Sequence, residues 1–130
     1  MKLSSVARLL SGTLSPAAFV AEIEEELAVH RAGLSVRGGV APVRVDEDEE
    51  VVLDRAGLRR LCEAFLSGEL TAEQLAYIAD AMQLSDRVEF SGHRIADDLA
   101  MCTDPEINGP MDAARAWGFV QVRESRRVVW

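Results

Sequence analysis

This sequence of 130 residues lacks the features that mark most membrane-bound and catalytic classes. It has no run of about 18 apolar residues, so we expect no membrane span. It has no C-x-x-C pair, no P-loop, no G-x-G-x-x-G pattern and no nucleophile elbow. Only two cysteines are present, Cys62 and Cys102. Both fall on apolar helical positions, which predicts buried free thiols in a reducing compartment.

Basic residues are also scarce, and the charge is unevenly distributed. Lys2 is the only lysine, and the formal net charge is −8. Residues 61–118 contain eleven acids and three bases, so this segment alone carries a charge of −8. Such a surface repels nucleic acid and anionic lipid, and it favours a basic partner. Negative charge can also serve solubility alone, and composition does not separate these two interpretations.

What the sequence does contain is enough apolar material for one folded domain. Apolar residues make up 48% and charged residues 28%, which is typical of a globular chain. The opening segment, MKLSSVARLLSGTLS, has an apolar stretch interrupted by Arg8 and lacks a convincing cleavage site. We therefore expect a single cytoplasmic domain over residues 1–130.

A short pattern, Leu-Ser-Gly-x-Leu-Ser/Thr, occurs at residues 10–15 and again at residues 66–71. Each copy follows an apolar helical stripe and contains a glycine suited to ending a helix. Ser15 before Pro16 then predicts a capped helix, and Thr71 with Gln74 predicts a capping box. The repeat therefore predicts two helical hairpins, at residues 3–31 and from a cap at Asp54 onward. Their apolar stripes need one another for burial.

The rest of the chain predicts a smaller β component. Residues 33–54 are rich in Gly, Pro and β-branched residues, and we predict strands near 43–45 and 50–53 joined by an acidic turn. A disordered or lid-like loop is the alternative. The segment 85–92 is interpreted as a connector whose Ser91 caps a fifth helix, and a short helix is expected over 112–117. The tail, 119–130, is strand-like and could pair with the 43–53 hairpin.

The predicted fold class is accordingly mainly α. It consists of helical hairpins packed as a small bundle with a small antiparallel β element. The predicted divisions are a helical hairpin at 3–31, a loop or β hairpin at 33–54, a helical hairpin and further helices at 54–118, and a β-like tail at 119–130.

No catalytic, metal or cofactor site is predicted. Neighbouring carboxylates on a helix point about 100° apart, whereas helix-borne metal ligands are spaced three or four residues apart on one face. Glu22 with Glu25 or Glu26 has usable spacing, but no Glu-x-x-His companion accompanies them. The run at 46–50 lacks the ligand alternation of a calcium loop. His30 and His93 have no cysteine neighbour for nucleophilic catalysis.

Acidic clusters are instead interpreted as solvated faces or as contacts for a basic partner. Tyr77, beside an apolar stripe, is interpreted either as a half-exposed anchor for a partner or as a flank residue covering the core. The candidate partner-binding residues are Glu22, Glu25, Glu26, Asp46, Glu47, Asp48, Glu49, Tyr77, Asp97 and Asp98. Acids farther along the 97–106 segment are included in the same hypothesis.

The segment ARLLSGTLSPAAFVAEIEEELAVHR, residues 7–31, resembles the opening of the colicin D type immunity proteins. The shared features are a short apolar helix, a small polar turn, and a helix capped by Ser15 in which Phe19, Ile23 and the glutamates from Glu22 to Glu26 interleave. The resemblance implies a small helical cytoplasmic protein that blocks a tRNA-cleaving toxin domain. Phe19 and Ile23 would then be core residues, and the glutamates would be toxin contacts.

The function expected from these observations is therefore binding rather than catalysis. The first hypothesis is an immunity protein that occludes the basic substrate site of a nuclease-type toxin. The alternative is a phage- or host-encoded decoy or regulator that binds a nucleic-acid-binding protein by charge mimicry. We expect no direct contact with nucleic acid or membrane, and strand-like termini leave a homodimer open.

Overall fold

The computed structural model describes residues 1–36, 38–39, 41–103 and 111–121. These residues form six helices and two short strands, so the prediction of a mainly helical protein is confirmed. In chain order the elements are α1 (Leu3–Ser11), α2 (Pro16–Leu34), β1 (Val51–Leu53), α3 (Arg55–Leu66), α4 (Ala72–Leu84), β2 (Val88–Phe90), α5 (His93–Ala100) and α6 (Ala113–Gln121). No helix among them is both long enough and apolar enough to cross a membrane.

Each copy of the repeated pattern joins two helices that contact each other, and we call these pairs the first hairpin (α1 and α2) and the second hairpin (α3 and α4). In the first, Gly12 adopts a left-handed conformation with φ 82° after α1, and the Ser15 hydroxyl accepts a hydrogen bond from the Ala18 amide. In the second, Gly68 has the same φ of 82°, and Thr71 and Gln74 complete a capping box. These interactions satisfy backbone groups that a helix end would otherwise leave unpaired.

The predicted antiparallel β element is wrong. Strand β1 pairs with β2 in parallel, with Val51 opposite Val88 and Leu53 opposite Phe90. Parallel strands need a long crossover, and here α3 and α4 provide it. Within β1, Val51 and Leu53 point into the core while Val52 is exposed, so the strand presents one face to the helices.

Four further local predictions need correction. Residues 43–45 form no strand, and within the described residues 41–50 the only strand-type pairing is an isolated parallel bridge between Lys2 and Asp46. The supposed connector contains β2. Helix α5 begins after Gly92 with no side-chain cap, so Ser91 does not cap it. Residues 119–121 end helix α6 rather than starting a strand, and the remainder of the predicted tail lies outside the described residues.

The core of the described residues is one cluster of apolar side chains centred on α3 and α4. Helix α3 packs against α1, α4, α5, α6 and β1, and α2 packs against α1 and α4. Leu58, Leu61 and Cys62 on α3 are buried, as are Leu75, Ile78 and Met82 on α4. Helix α2 thus lies at the edge of this arrangement, with one face in the core and one in solvent.

Candidate functional site

A groove of about 870 Å³ lies between the start of α1, the outer side of α2 and residues 44–46. Four of the predicted site carboxylates line it: Glu22, Glu25, Glu26 and Asp46. The sequence separates Asp46 from the glutamates by twenty positions or more. The fold therefore brings acids from two separate clusters of the sequence to one groove.

Helix geometry places the three glutamates on this side of α2. Residues three and four apart share a helix face, so Glu22, Glu25 and Glu26 follow one another along it. Ile23 turns inward and is 1% exposed, which anchors the helix against the core. Val29, one further turn along, lines the same groove and is 55% exposed.

The opposite wall is held by backbone pairing to the chain start. The Leu3 amide donates to the Asp46 carbonyl at 3.0 Å, and the Asp46 amide donates to the Met1 carbonyl at 2.7 Å. Asp46 therefore has a fixed backbone and an exposed side chain. This bridge is a contact between residues 44 positions apart, which no local sequence pattern encodes.

The groove has mixed charge, because cations share its wall with the carboxylates. The terminal ammonium of Met1 pairs with Glu26 at 2.6 Å and also donates to the Arg44 carbonyl at 2.8 Å. Lys2 and Arg44 line the groove as well, which leaves a formal charge of −1. Glu26 is thus neutralised inside the protein. The exposed carboxylates of Glu22 and Glu25 remain at the outer rim, where Glu22 accepts a hydrogen bond from Ser5 at 2.6 Å.

The acidic run at 46–50 has a structural role that the sequence did not predict. Helix α1 has no side-chain cap of its own, and Asp48 supplies one from 44 residues away. Its carboxylate accepts from the Ser4 amide at 2.9 Å and from the Ser4 hydroxyl at 2.6 Å. These hydrogen bonds, the side-chain one first, hold the pKa of Asp48 below its usual value because they favour the ionised form.

The acids Glu47, Glu49 and Glu50 of the same run differ in whether their side chains contact other parts of the protein. Glu47 accepts a hydrogen bond from the Ser85 hydroxyl at 2.8 Å. Glu50 lies 3.7 Å from the Arg87 guanidinium in an exposed pair. Glu49 is exposed and makes no contact of this kind among the described residues. Of these three acids, Glu49 is therefore the one best placed for an outside partner.

The two aspartates of α5 also separate into different roles. Asp98 accepts from the Arg55 guanidinium at 2.8 Å, and Arg55 is only 3% exposed. Asp98 therefore braces α5 against α3, whereas Asp97 is exposed. The later acids of the predicted segment, Asp104 and Glu106, lie outside the described residues.

Tyr77 is not an exposed anchor, because its side chain is 1% exposed. Its hydroxyl accepts a hydrogen bond from the Arg44 amide at 3.1 Å, and its ring meets the His30 ring edge-on at 5.0 Å. Burial is the main reason that the pKa of Tyr77 is raised. Tyr77 thus fixes the segment that carries the groove wall, and the interpretation as a core-covering residue is the correct one.

Neither a metal centre nor a reactive thiol is found in the part of the chain that the structure describes. No three His, Cys, Asp or Glu side chains there lie close enough together to hold a metal ion. Cys62 is fully buried, and its pKa is raised by its interaction with Cys102 and by burial. A thiol in that setting carries little of the nucleophilic thiolate form.

Comparison with known proteins does not extend this description, since no family model, no curated protein and no solved structure matches the chain. The resemblance to the colicin D type immunity proteins therefore stays a prediction.

Two features of the groove were missed by sequence reasoning. Val29 lies off the apolar stripe of Phe19, Ile23 and Leu27, and an apolar residue off its stripe is the signal that could have found it. Arg44 gave no such signal, because its position beside the groove depends on the hydrogen bond to Tyr77. Among the described residues of the groove and the predicted site, Glu25, Val29, Asp46, Glu49 and Asp97 are exposed without an internal side-chain partner, and Glu22 is exposed with one hydrogen bond from Ser5.

Proposed function

We propose that this chain is a binding protein that inhibits a nuclease-type bacterial toxin by covering its basic substrate site. The observation that carries the proposal is the outer rim of the groove, where exposed Glu22 and Glu25 precede the exposed side chain of Val29 on successive turns of α2. Acidic groups beside an apolar contact are suited to a basic protein surface, because charge guides the encounter and apolar burial holds the complex.

In the inhibitory mechanism, the carboxylates and the apolar side chain make different contributions. Carboxylates at the rim take the positions that phosphates occupy in the toxin's substrate, and Val29 supplies apolar contact area. Glu26, Asp48 and Asp98 contribute by shaping the surface, since each already has an internal partner. Glu49 and Asp97 extend the negative surface and raise the association rate at low salt.

A charge-reversal pair on α2 tests the proposal directly. Glu25→Lys places a cation on the groove rim, whereas Glu24→Lys makes the same charge change on an exposed position that does not line the groove. The assay is growth of cells that express the polypeptide encoded beside this gene, with each variant supplied in trans. We expect wild type and Glu24→Lys to rescue growth, and Glu25→Lys to rescue it at least about tenfold less effectively, the equivalent of about 1.4 kcal/mol of binding.

Equal rescue by the two lysine variants would show that the toxin does not contact the groove rim at Glu25, and it would contradict the groove as the binding surface. A neighbour that is harmless, or that kills despite the wild-type chain, would overturn the immunity function itself. Capture of a host nucleic-acid-binding protein in a salt-graded pull-down would then favour charge mimicry as a regulator or decoy.

The proposal includes two subsidiary parts. We place the protein in the cytoplasm, where a tRNA-directed toxin acts, and we treat its helices as one small bundle. One cooperative unfolding transition by circular dichroism is expected for such a bundle, and two separate transitions would contradict it. Sedimentation of the purified chain distinguishes a monomer from a homodimer.

A further inference from the structure

The α-amino group of Met1 is enclosed within the protein. Its nitrogen lies 2.6 Å from the Glu26 carboxylate on α2 and 2.8 Å from the Arg44 carbonyl, on the groove wall formed by residues 44–46. Met1 is 6% exposed, and the Glu26 side chain is 12% exposed. An ion pair with so little access to water depends on both partners, because removing one leaves the other charge buried without compensation.

These contacts connect the groove wall to two helices. The Arg44 amide donates to the Tyr77 hydroxyl on α4 at 3.1 Å, while the Arg44 carbonyl accepts from the Met1 ammonium. The Met1 carbonyl in turn accepts from the Asp46 amide at 2.7 Å. Met1 therefore links this wall to α2 through Glu26, and a modification of its nitrogen would break that link.

We propose that acylation of the Met1 amine and closure of the groove wall exclude each other, so that this nitrogen is a modification site at which Glu26 distinguishes a free amine from an acylated one. The class of donor is an acetyl thioester. The deprotonated amine attacks the thioester carbonyl, a C–N bond forms, the C–S bond breaks, and the thiolate leaves with its electron pair. Of the three ammonium protons, one stays on the amide nitrogen, one passes to the thiolate and one passes to solvent. The product carries no charge at this nitrogen.

Acylation changes both the charge and the space at this site. An amide nitrogen has one hydrogen, so it no longer donates a separate hydrogen to the Glu26 carboxylate and to the Arg44 carbonyl. The new carbonyl carbon would have to fit where these acceptors already lie 2.6 and 2.8 Å from the nitrogen. The formal charge of the groove would change from −1 to −2, because one of its three cations is lost. Conversely, the closed fold keeps the amine from an acyl donor, so the reaction requires opening of the first residues.

The sequence allows a selective test, because Lys2 is the only lysine and its side chain is exposed. In the variant Lys2→Arg, the Met1 amine is the one primary amine left. The backbone bridge between residues 2 and 46 does not depend on the lysine side chain. The variant is treated with the N-hydroxysuccinimide ester of acetic acid, either folded or in denaturant, and the added mass of one acetyl group is followed over time. We expect the folded variant to react at least about tenfold more slowly.

The second measurement is the stability of the acetylated chain. The variant acetylated in denaturant is refolded beside an untreated sample carried through the same steps. Its thermal midpoint should be lower by about 6 °C or more, because Glu26 has lost its charged partner. Glu26→Gln in the Lys2→Arg background is the matched control, since its side chain has no charge to leave unpaired. Acetylation should lower the midpoint of this control by less than half as much.

Each outcome decides one part of the proposal. Equal acetylation rates for folded and denatured protein would contradict an enclosed amine, and an unchanged midpoint after acetylation would overturn the structural role of the ammonium. An equal fall in the Glu26→Gln background would show that Glu26 does not distinguish the two forms. If the acetylated Lys2→Arg chain fails to refold, refolding of the acetylated control supports the proposal and failure of both overturns the role of Glu26. None of these readouts depends on the toxin partner.

Discussion

The two hairpins share a turn but differ in what their second helices do. Both turns end the first helix at a left-handed glycine, and both begin the next with a hydroxyl cap. Yet α4 buries six of its thirteen residues, while α2 buries four of nineteen. The same local sequence code thus builds a central helix in one place and a surface helix in the other.

The turn pattern therefore determines where the helices begin and end. How much of each helix is buried depends on the elements that pack around it. Helix α4 is enclosed because α3, α5 and α2 lie around it. Helix α2 packs against α1 and α4, and its outer side, which carries Glu22, Glu25 and Val29, borders the groove. In the function we propose, the second hairpin supplies stability and the first supplies the contact surface.

The clearest test of this difference in burial is to truncate one side chain to alanine on each of the two helices. Tyr77→Ala on α4 deletes a buried ring and leaves the Arg44 amide without its partner, so we expect a loss of about 3–5 kcal/mol in the free energy of unfolding. Val29→Ala on α2 should change it by less than about 0.5 kcal/mol while weakening partner binding. Urea denaturation checks both, and a large loss for Val29→Ala would contradict the assignment of α2 as a surface helix.

Two ion pairs between helices, one joining α3 to α5 and the other joining α2 to α4, provide the next largest contrast. Arg55→Met leaves Asp98 without its partner, and we expect a loss of about 2–3 kcal/mol, because Asp98 is 18% exposed and is partly compensated by water. Arg31 on α2 pairs with Glu73 at the surface, with both side chains substantially exposed. Arg31→Met should therefore leave the denaturation midpoint unchanged within error. Similar losses for the two variants would show that burial does not set the value of these pairs.

The two turn glycines make a matched pair of smaller effect. Both have φ of 82°, so alanine at either position should cost about 1–2 kcal/mol in left-handed strain. At Gly12 a new methyl group would lie 2.5 Å from the Arg60 guanidinium, which must move aside, whereas nothing lies within 4 Å at Gly68. Thermal unfolding should place Gly12→Ala at or below Gly68→Ala. The reverse order would mean that displacing Arg60 relieves a constraint.

The smallest expected effect concerns the distant cap of α1. The folded pKa of Asp48 is lowered, so its stabilising effect is complete above the ordinary carboxyl pKa of about 3.9 and is lost as the pH falls through the folded value. Asp48→Asn should lower stability at pH 7 and make the decline below about pH 4 shallower. Glu49→Gln removes the same charge without removing a hydrogen bond, so it should retain the wild-type decline. Identical curves for wild type and Asp48→Asn would contradict the cap.

Sequence reasoning succeeded where the cause is local. The caps at Ser15, Asp54 and Thr71 and the glycine after α1 depend on residues within a few positions of one another, and all four are confirmed. Of the candidate site, the helical spacing brought Glu22, Glu25 and Glu26 together correctly.

The failures involve contacts between distant residues. Three-residue strands such as Val88–Phe90 carry too short a pattern to reveal their direction or partner. Asp48 and Asp98 could not be separated from Glu49 and Asp97, because their partners, Ser4 and Arg55, lie more than forty residues away. Tyr77 was ambiguous because its burial depends on Arg44 and His30, which belong to other parts of the chain.

The parallel pairing of β1 with β2 has a consequence for the order in which the protein folds. Val51 and Val88 are 37 positions apart, and each strand has only three residues, so pairing closes a long loop for few hydrogen bonds. We expect both hairpins to form first and the sheet to form late. Pulsed hydrogen exchange checks this at the Ser91 amide, which donates to the Leu53 carbonyl, and early protection there would contradict it. During synthesis the first hairpin is complete before β2 has left the ribosome, so the surface proposed to meet a partner would exist before the strand pairing is in place.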